Sequence, residues 1–318
     1  MVSKVLWKHL LELKQNVSQG LIADASVCYD TDKGFLYNKD SKLATVYIQK
    51  EAPTHLATDF SFKEVLKNRF YIVYSNNVDK EIISSISLYA PLAMSELICT
   101  DLPFVISHQA QSLDGKTATC SGSSKWIGNN GNLIHAHRVR ALVDAVMVGT
   151  NTIRNDNPKL TVRHVDGDHP TRVLLSNSID DFSQLPKNAT AETFLLRKEC
   201  SPYHKVNNDT IDRVLYYGGA NSKESCLNIL RQLKQEGIKS ILIEGGSKTI
   251  SSFLSADAID WLQFHIAPIL FGSGIPTVEL SVIDSVQDCL ILDNMISSTI
   301  GDHIMCTGEP IKTSKNEI

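Results

Sequence analysis

The chain has 318 residues, 42% hydrophobic and 21% charged, ordinary proportions for one large or two moderate folded domains. A formal net charge of −4 offers no basic field to recruit nucleic acid, and no apolar run is long enough to span a bilayer, so neither nucleic acid nor membrane is expected as a partner. Seven dispersed cysteines without a CxxC pair fit reduced thiols in the cytoplasm better than a disulfide framework.

Residues 1–100 open on MVSKVLWKHLLELKQ, which reads as an amphipathic helix because charges interrupt the apolar residues. Short strands are predicted at LIADASVCY, ATVYIQK and FYIVYSN, and helices at FKEVLKN and over residues 80–97. Together they make a small α/β domain without a catalytic motif, in which His9 and His55 stand alone and read as surface residues. Pro103 disfavours helix at the residue before it and marks the boundary to a second segment.

From Pro103 the pattern is regular. Strands are predicted at PFVISHQA, AVMVGT, TRVLLSN, TFLLR, DRVLYY, SILIEGG and WLQFHIAPILFG, and helices at NNGNLIHAHRVRALVD, SKESCLNILRQLKQEG and SKTISSFLSA. Alternation of this kind predicts an α/β sheet covered on both faces, and near-continuous apolar runs such as ILI and AVMV suit strands buried on both sides. The last sixty residues read as antiparallel strands closing the sheet.

The candidate chemistry sits at strand ends. In SILIEGGSKTISSFL an apolar strand ends at Glu244, Gly245 and Gly246 follow, and a helix opens at Ser247. Glycines allow close backbone approach and a helix N-terminus supplies unpaired N–H donors, so a phosphate is the expected guest; a plain turn with a serine cap explains the stretch equally well. Hydroxyls at Ser247, Thr249 and Ser251 add donors, and Glu244 is placed to accept from sugar hydroxyls or to act as a simple cap. On the helix 129–144, Arg140 falls between Leu133 and Ala136 inside the apolar arc, where a guanidinium needs either a carboxylate or a ligand phosphate. Arg163, with Lys159 nearby in NDNPKLTVR, would complete an anion clamp, and Thr150-Asn151-Thr152 after Gly149 is a second place where backbone and hydroxyls meet a ligand. His135 and His137 are two apart and do not face one metal; with no HExxH and no cysteine cluster, no metal is expected, and both read as solvent-facing or locally hydrogen-bonded.

QSLDGKTA, GSSKWI, RVRALVDAVMVGTNTIRNDNPKLTVR, LIEGGSKTISSFL and APILFG occur in one order over residues 103–309, and in this the chain resembles the RibD C-terminal (pyrimidine reductase) domain family of riboflavin biosynthesis. The resemblance implies a dihydrofolate-reductase-like fold, a mixed, mainly parallel sheet flanked by helices, here with a separate small N-terminal α/β domain and a tail at 310–318. It implies NADPH at Ala110, Trp126, Thr152, Asp156, Ser176 and Gly245, with the pyrophosphate cradled by residues 246–252, among them Gly246, Ser247 and Thr249. The ribose phosphate of a phosphorylated pyrimidine would lie on Ser124, Arg140, Leu160 and Arg163, with Glu244 on the hydroxyls and Lys116 on the pyrimidine ring. Lys116 is then the candidate proton source, while Asp114 either assists or only fixes the SLDGK turn. A homodimer is also implied. Residues 1–100 contain neither the HxE nor the PCxxC of the family's zinc deaminase, so no deaminase is expected. A pterin-type reductase of the same fold and a non-catalytic nucleotide-binding protein are the competing readings.

Overall fold

The computed structural model describes residues 2–22, 27–30, 33–36, 46–49, 53, 59–66, 70–125, 127–187, 190–201 and 209–312. The N-terminal part runs α1 (Lys4–Ser18), β1 (Val27–Asp30), β2 (Gly34–Leu36), β3 (Val46–Gln49), β4 (Phe60–Leu66), β5 (Phe70–Ser75), α2 (Lys80–Ala93) and α3 (Ser95–Ile98). Its strands form an antiparallel sheet in the order β2-β1-β3-β5-β4. FKEVLKN, expected to be helical, supplies most of β4: Phe62 pairs with Val73 and Glu64 with Tyr71, whose hydroxyl donates to the Glu64 carboxylate. Cross-strand pairing outweighs the mild helix preference of the Lys-Glu pair. His9, read as a surface residue, is buried edge-on against Tyr29; His55 lies outside the described residues.

The second part runs β6 (Phe104–Ser112), β7 (Lys116–Ala118), α4 (Asn130–Leu142), β8 (Ala145–Gly149), α5 (Thr150–Asp156), β9 (Thr171–Leu175), β10 (Thr193–Lys198), β11 (Arg213–Tyr217), α6 (Ser222–Gln235), β12 (Ser240–Glu244), α7 (Ser247–Ser255), β13 (Trp261–Ala267), β14 (Ile275–Pro276), β15 (Leu290–Ile300) and β16 (His303–Lys312). Nine strands make one sheet in the order β11-β10-β9-β8-β12-β6-β13-β16-β15. The first seven in that order are mutually parallel, and β16 and β15 add antiparallel, closing the sheet as the β-rich C-terminus predicts. β13 stops at Ala267, before Pro268, so the expected strand WLQFHIAPILFG is halved, and β16 runs three residues past the anticipated boundary at 309.

The two sheets are distinct but their interiors are not. Leu6, Trp7, Leu10 and Leu13 of α1 and Ile86, Tyr89 and Leu92 of α2 belong to one apolar cluster with Phe104, Val139, Leu142 and Leu174, so the N-terminal unit is fused to the larger one rather than separate from it.

α4 lies where these parts meet. Its buried face is made by His135, His137, Val139 and Leu142, while Leu133, placed on the apolar arc by the sequence, is 40% exposed. Polar side chains fasten it to the sheet: the cross-strand row Glu244–His108–Gln263–Thr307 runs over β12, β6, β13 and β16. Arg140 meets Glu244, Asn132 accepts from His108 Nε2, and His135 Nε2 donates to the Gln263 side-chain oxygen. His135 Nδ1 accepts from the Tyr89 hydroxyl of α2, which fixes the neutral Nε2–H tautomer.

Candidate active site

β8 and β12 are adjacent parallel strands whose connections leave in opposite directions, β8 through α5 to β9 and β12 through α7 toward β13. Such a reversal opens a crevice at the carboxyl ends of the strands, the ordinary ligand position of an open α/β sheet. Here it is built from two interlocked corners. Gly245 and Gly246 both have positive φ, at 76° and 81°, a backbone that glycine alone adopts freely. A Cβ on Gly149 would come within 2.3 Å of Thr249 Oγ1, and one on Gly245 within 2.9 Å of Thr152 Oγ1, so each corner's glycine makes room for the other corner's threonine.

Neither α5 nor α7 has a side-chain cap at its N-terminus, unlike α2, α4 and α6, which are capped by Asp79, Asn129 and Asn221. At the head of α7 the buried Ser247 hydroxyl also lacks a hydrogen-bond partner among the described residues. Unpaired N–H groups, a positive dipole end and an unpaired hydroxyl together ask for an anion. They open into a cleft of about 810 Å³ that extends from Ala110, Thr117 and Ser124, past both corners and Asp156, to Asn177, Tyr217 and Ser225 at the ends of β9 and β11 and the start of α6. Its length and its phosphate-seeking middle fit a dinucleotide. Burial raises the Asp156 carboxyl, opposed by Lys125.

Of the residues predicted to hold the cofactor, Ala110, Thr152, Asp156, Gly245, Gly246, Ser247 and Thr249 line this cleft. Trp126 lies outside the described residues. Ser176 does not line it: it is buried, its N–H donates to Leu196 O and its hydroxyl accepts from Ser178 N, leaving Leu175, Asn177 and Ser178 as the wall. Tyr217, Ser225 and Asn177 were missed by the sequence reading; the signal was their position at carboxyl ends of parallel strands or at a helix start.

Of the predicted substrate residues, Ser124 is on the wall of the cleft, and Arg140 and Arg163 lie close to Glu244, the residue before Gly245. Arg140 and Glu244, expected to serve phosphate and hydroxyls separately, are paired with each other. Arg140 Nε donates to Glu244 Oε1 at 2.7 Å and Nη2 to Oε2 at 2.6 Å, with the side chains 14% and 13% exposed. A buried guanidinium takes the nearest carboxylate, and a third donation runs from Nη1 to Thr161 O. Arg163 is exposed, donates from Nη1 to Thr161 Oγ1, and has no carboxylate partner among the described residues. Burial and the neighbouring Arg140 charge lower its pKa, with Glu244 opposing. A cation beside an already paired cation, unneutralised and open, has the chemistry that attracts an anion. Leu160 is buried in the core at φ 54°, so it shapes the loop rather than offering its side chain to a ligand.

His137, read from the sequence as solvent-facing or locally hydrogen-bonded, is buried and holds that loop: its Nδ1 accepts from Arg163 N at 2.9 Å. Burial first, then Arg140 and Arg163, push its pKa down to about 3, so the ring stays neutral, with its proton on Nε2.

Asp114 is not placed as a catalyst. Its carboxylate accepts from Ser112 Oγ, Phe271 N and Gly272 N, which ties the SLDGK turn to the 271–272 loop; the Ser112 bond, then the loop N–H groups, hold its pKa low. Lys116 lies beside the cleft residues Thr117 and Ala118 but outside the wall, its stem against Gly274.

A family model described as the RibD C-terminal domain matches residues 103–305. The riboflavin biosynthesis protein RibD of Aquifex aeolicus (strain VF5) is 32% identical over 212 residues, 65% of this chain and 58% of that protein. The 2,5-diamino-6-ribosylamino-4(3H)-pyrimidinone 5′-phosphate reductase of Methanothermobacter thermautotrophicus is 32% identical over 213 residues, 64% of this chain and 96% of that one. The chain therefore spans a little over half the length of the RibD relative and almost all of the reductase. Among solved structures, a diaminohydroxyphosphoribosylaminopyrimidine deaminase/5-amino-6-(5-phosphoribosylamino)uracil reductase from Thermotoga maritima superposes with a TM-score of 0.55 at 26% identity, covering 73% of this chain and 62% of its own.

Proposed function

The chain belongs to the RibD C-terminal domain family, and from that premise we propose that it is an NADPH-dependent reductase converting the ribosyl group of a ribosylaminopyrimidine 5′-phosphate to ribityl. The observation that carries this reading is the open Arg163 guanidinium beside the Arg140–Glu244 pair, one residue from the diglycine corner. A phosphate receptor and a dinucleotide cleft meet there.

The residues divide the work. The uncapped α7 N-terminus, the Ser247 hydroxyl and the Thr152 and Thr249 side chains would hold the dinucleotide's phosphates. NADPH, when bound, supplies the hydride. Arg163 would grip the substrate phosphate, and Glu244, oriented by both Arg140 nitrogens, keeps lone pairs for the sugar hydroxyls. Anchoring a distant phosphate fixes the sugar for transfer, and positioning of this kind is worth about 7–11 kcal/mol of barrier. The proton is left to Lys116 or to water.

The exposed Met295, Ile304, Val282 and Val286, near the free edge strand β15, support association of two copies. None of the seven cysteines is in a disulfide, which suits the cytoplasm.

The test is to mix the protein with NADPH and the deaminated or undeaminated ribosylaminopyrimidine phosphate and follow the nicotinamide absorbance. Oxidation with either supports the reading. Turnover with dihydrofolate alone would replace it by a pterin reductase.

A further inference from the structure

The two arginine-bearing segments of the phosphate site are far apart in sequence, on α4 and on the loop 157–168, yet both are tied to the same N-terminal helix. Lys14 of α1 donates from Nζ to Ala141 O at 3.2 Å and Val143 O at 3.1 Å, capping the C-terminal end of α4 directly after Arg140. Trp7, two turns earlier, donates its indole N–H to Asp166 O at 3.1 Å, three residues after Arg163. Between these ties Gly167, at φ 135°, is wedged so that a Cβ would meet Ala141 Cβ at 2.7 Å and Leu11 Cδ2 at 3.3 Å. The Trp7 ring also carries the Arg138 guanidinium of α4, 5.5 Å from its centroid. Residues 1–102 lie outside the family match, so this fastening belongs to the part of the chain that the reductase resemblance does not reach.

We propose that α1 is a positioning element of the substrate-phosphate site, with Lys14 and Trp7 setting the spacing of Arg140–Glu244 and Arg163. This rests on the reading of Arg163 as the phosphate anchor. Lys14 is half-buried and makes two charge-assisted bonds to carbonyls that nothing else caps among the described hydrogen bonds; losing them frees the last turn of α4. Losing the Trp7 N–H frees the far end of the Arg163 loop. Neither residue touches the dinucleotide cleft, so the effect falls on one ligand only.

The experiment uses the full chain with Lys14→Met, Lys14→Arg and Trp7→Phe, and Arg163→Ala as reference. Steady-state kinetics are measured with the phosphorylated pyrimidine and with NADPH, and ribose 5-phosphate binding is measured by calorimetry. Lys14→Met and Trp7→Phe are expected to raise the substrate KM and the ribose 5-phosphate Kd about three- to tenfold, below the roughly hundredfold that a 1 Å misplacement can cost. The NADPH KM should stay within about twofold, and Lys14→Arg, which can still reach both carbonyls, should restore binding. Unchanged substrate KM and ribose 5-phosphate Kd in Trp7→Phe and Lys14→Met, with Arg163→Ala impaired, would overturn the positioning role alone. An unimpaired Arg163→Ala would remove the underlying reading instead. Equal losses for both ligands together with a lowered melting temperature would mean that α1 only supports the fold.

Discussion

Two arginines of like charge sit side by side, and their surroundings give them different work. Arg140 is paired bidentately with Glu244 and donates to Thr161 O, so removing it strands a largely buried carboxylate. Arg140→Ala is expected to cost about 3–5 kcal/mol of folding stability, read from the denaturation midpoint, with activity lost alongside. Arg163 has no such partner to strand. Arg163→Ala should leave stability within about 0.5 kcal/mol and raise the KM for the phosphorylated substrate by about ten- to a hundredfold, the worth of one charge-assisted bond. The NADPH KM should not follow. Equal loss for both ligands would contradict the separation of the two subsites. The sequence could show that an arginine on the buried side of α4 needed a partner. It could not choose between ligand and protein, because Glu244 is 104 residues away and only the strand order brings it there.

At the level of elements, what was legible followed from local chemistry. Unbroken apolar runs marked the parallel strands, and the diglycine after SILIE marked the corner, because both signals lie within a few residues. β4 was misread because its strand character comes from β5 alongside it and not from its own residues. α5 escaped because seven residues carry too little periodicity, although its first turn, Thr150, Asn151 and Thr152, lines the cleft. The interlocking of the corners was equally invisible, since Gly149 and Thr249 are a hundred residues apart, and it makes a sharp prediction. Gly149→Ala would drive a methyl group into the Thr249 hydroxyl, forcing the α7 N-terminus away from its neighbour. The NADPH KM should rise about tenfold or more while ribose 5-phosphate binding is retained, and the double variant with Thr249→Ser, which keeps the hydroxyl, should recover little. A Gly149→Ala protein with unchanged cofactor affinity would show that the two corners move independently.

Across the whole molecule, the face under α4 stores a pH dependence that has nothing to do with catalysis. His108 and His265 are buried on the sheet beneath α4, His135 meets His108 from the buried face of α4, and His137 is buried behind the Arg163 loop. Burial is the largest cause of a lowered pKa in each: His137 and His265 fall to about 3, His135 lies well below its ordinary value, and His108 is lowered against the pull of Glu244 and Asn132. In the unfolded chain the same imidazoles titrate near about 6.5. Above that value both states are neutral and the full stability is present. As the pH falls below it, the unfolded chain takes up protons that the folded chain refuses, so stability is lost progressively down toward the folded values, by up to about 1.4 kcal/mol per pH unit for each histidine. Carboxylates bind few protons until about pH 5, so the interval between about pH 6.5 and 5.5 isolates the imidazoles. Unfolding free energies from denaturant titrations across it should drop by about 2 kcal/mol or more, and replacing His265 by glutamine should reduce the slope. A flat profile through that interval would mean that protonated imidazole is accommodated under α4 after all. Water would then have to reach the row from His108 to Thr307 and the neighbouring His265, where His108 Nδ1, Gln263 Nε2, Thr307 Oγ1 and His265 Nδ1, buried and without a partner among the described residues, are the atoms it would find first.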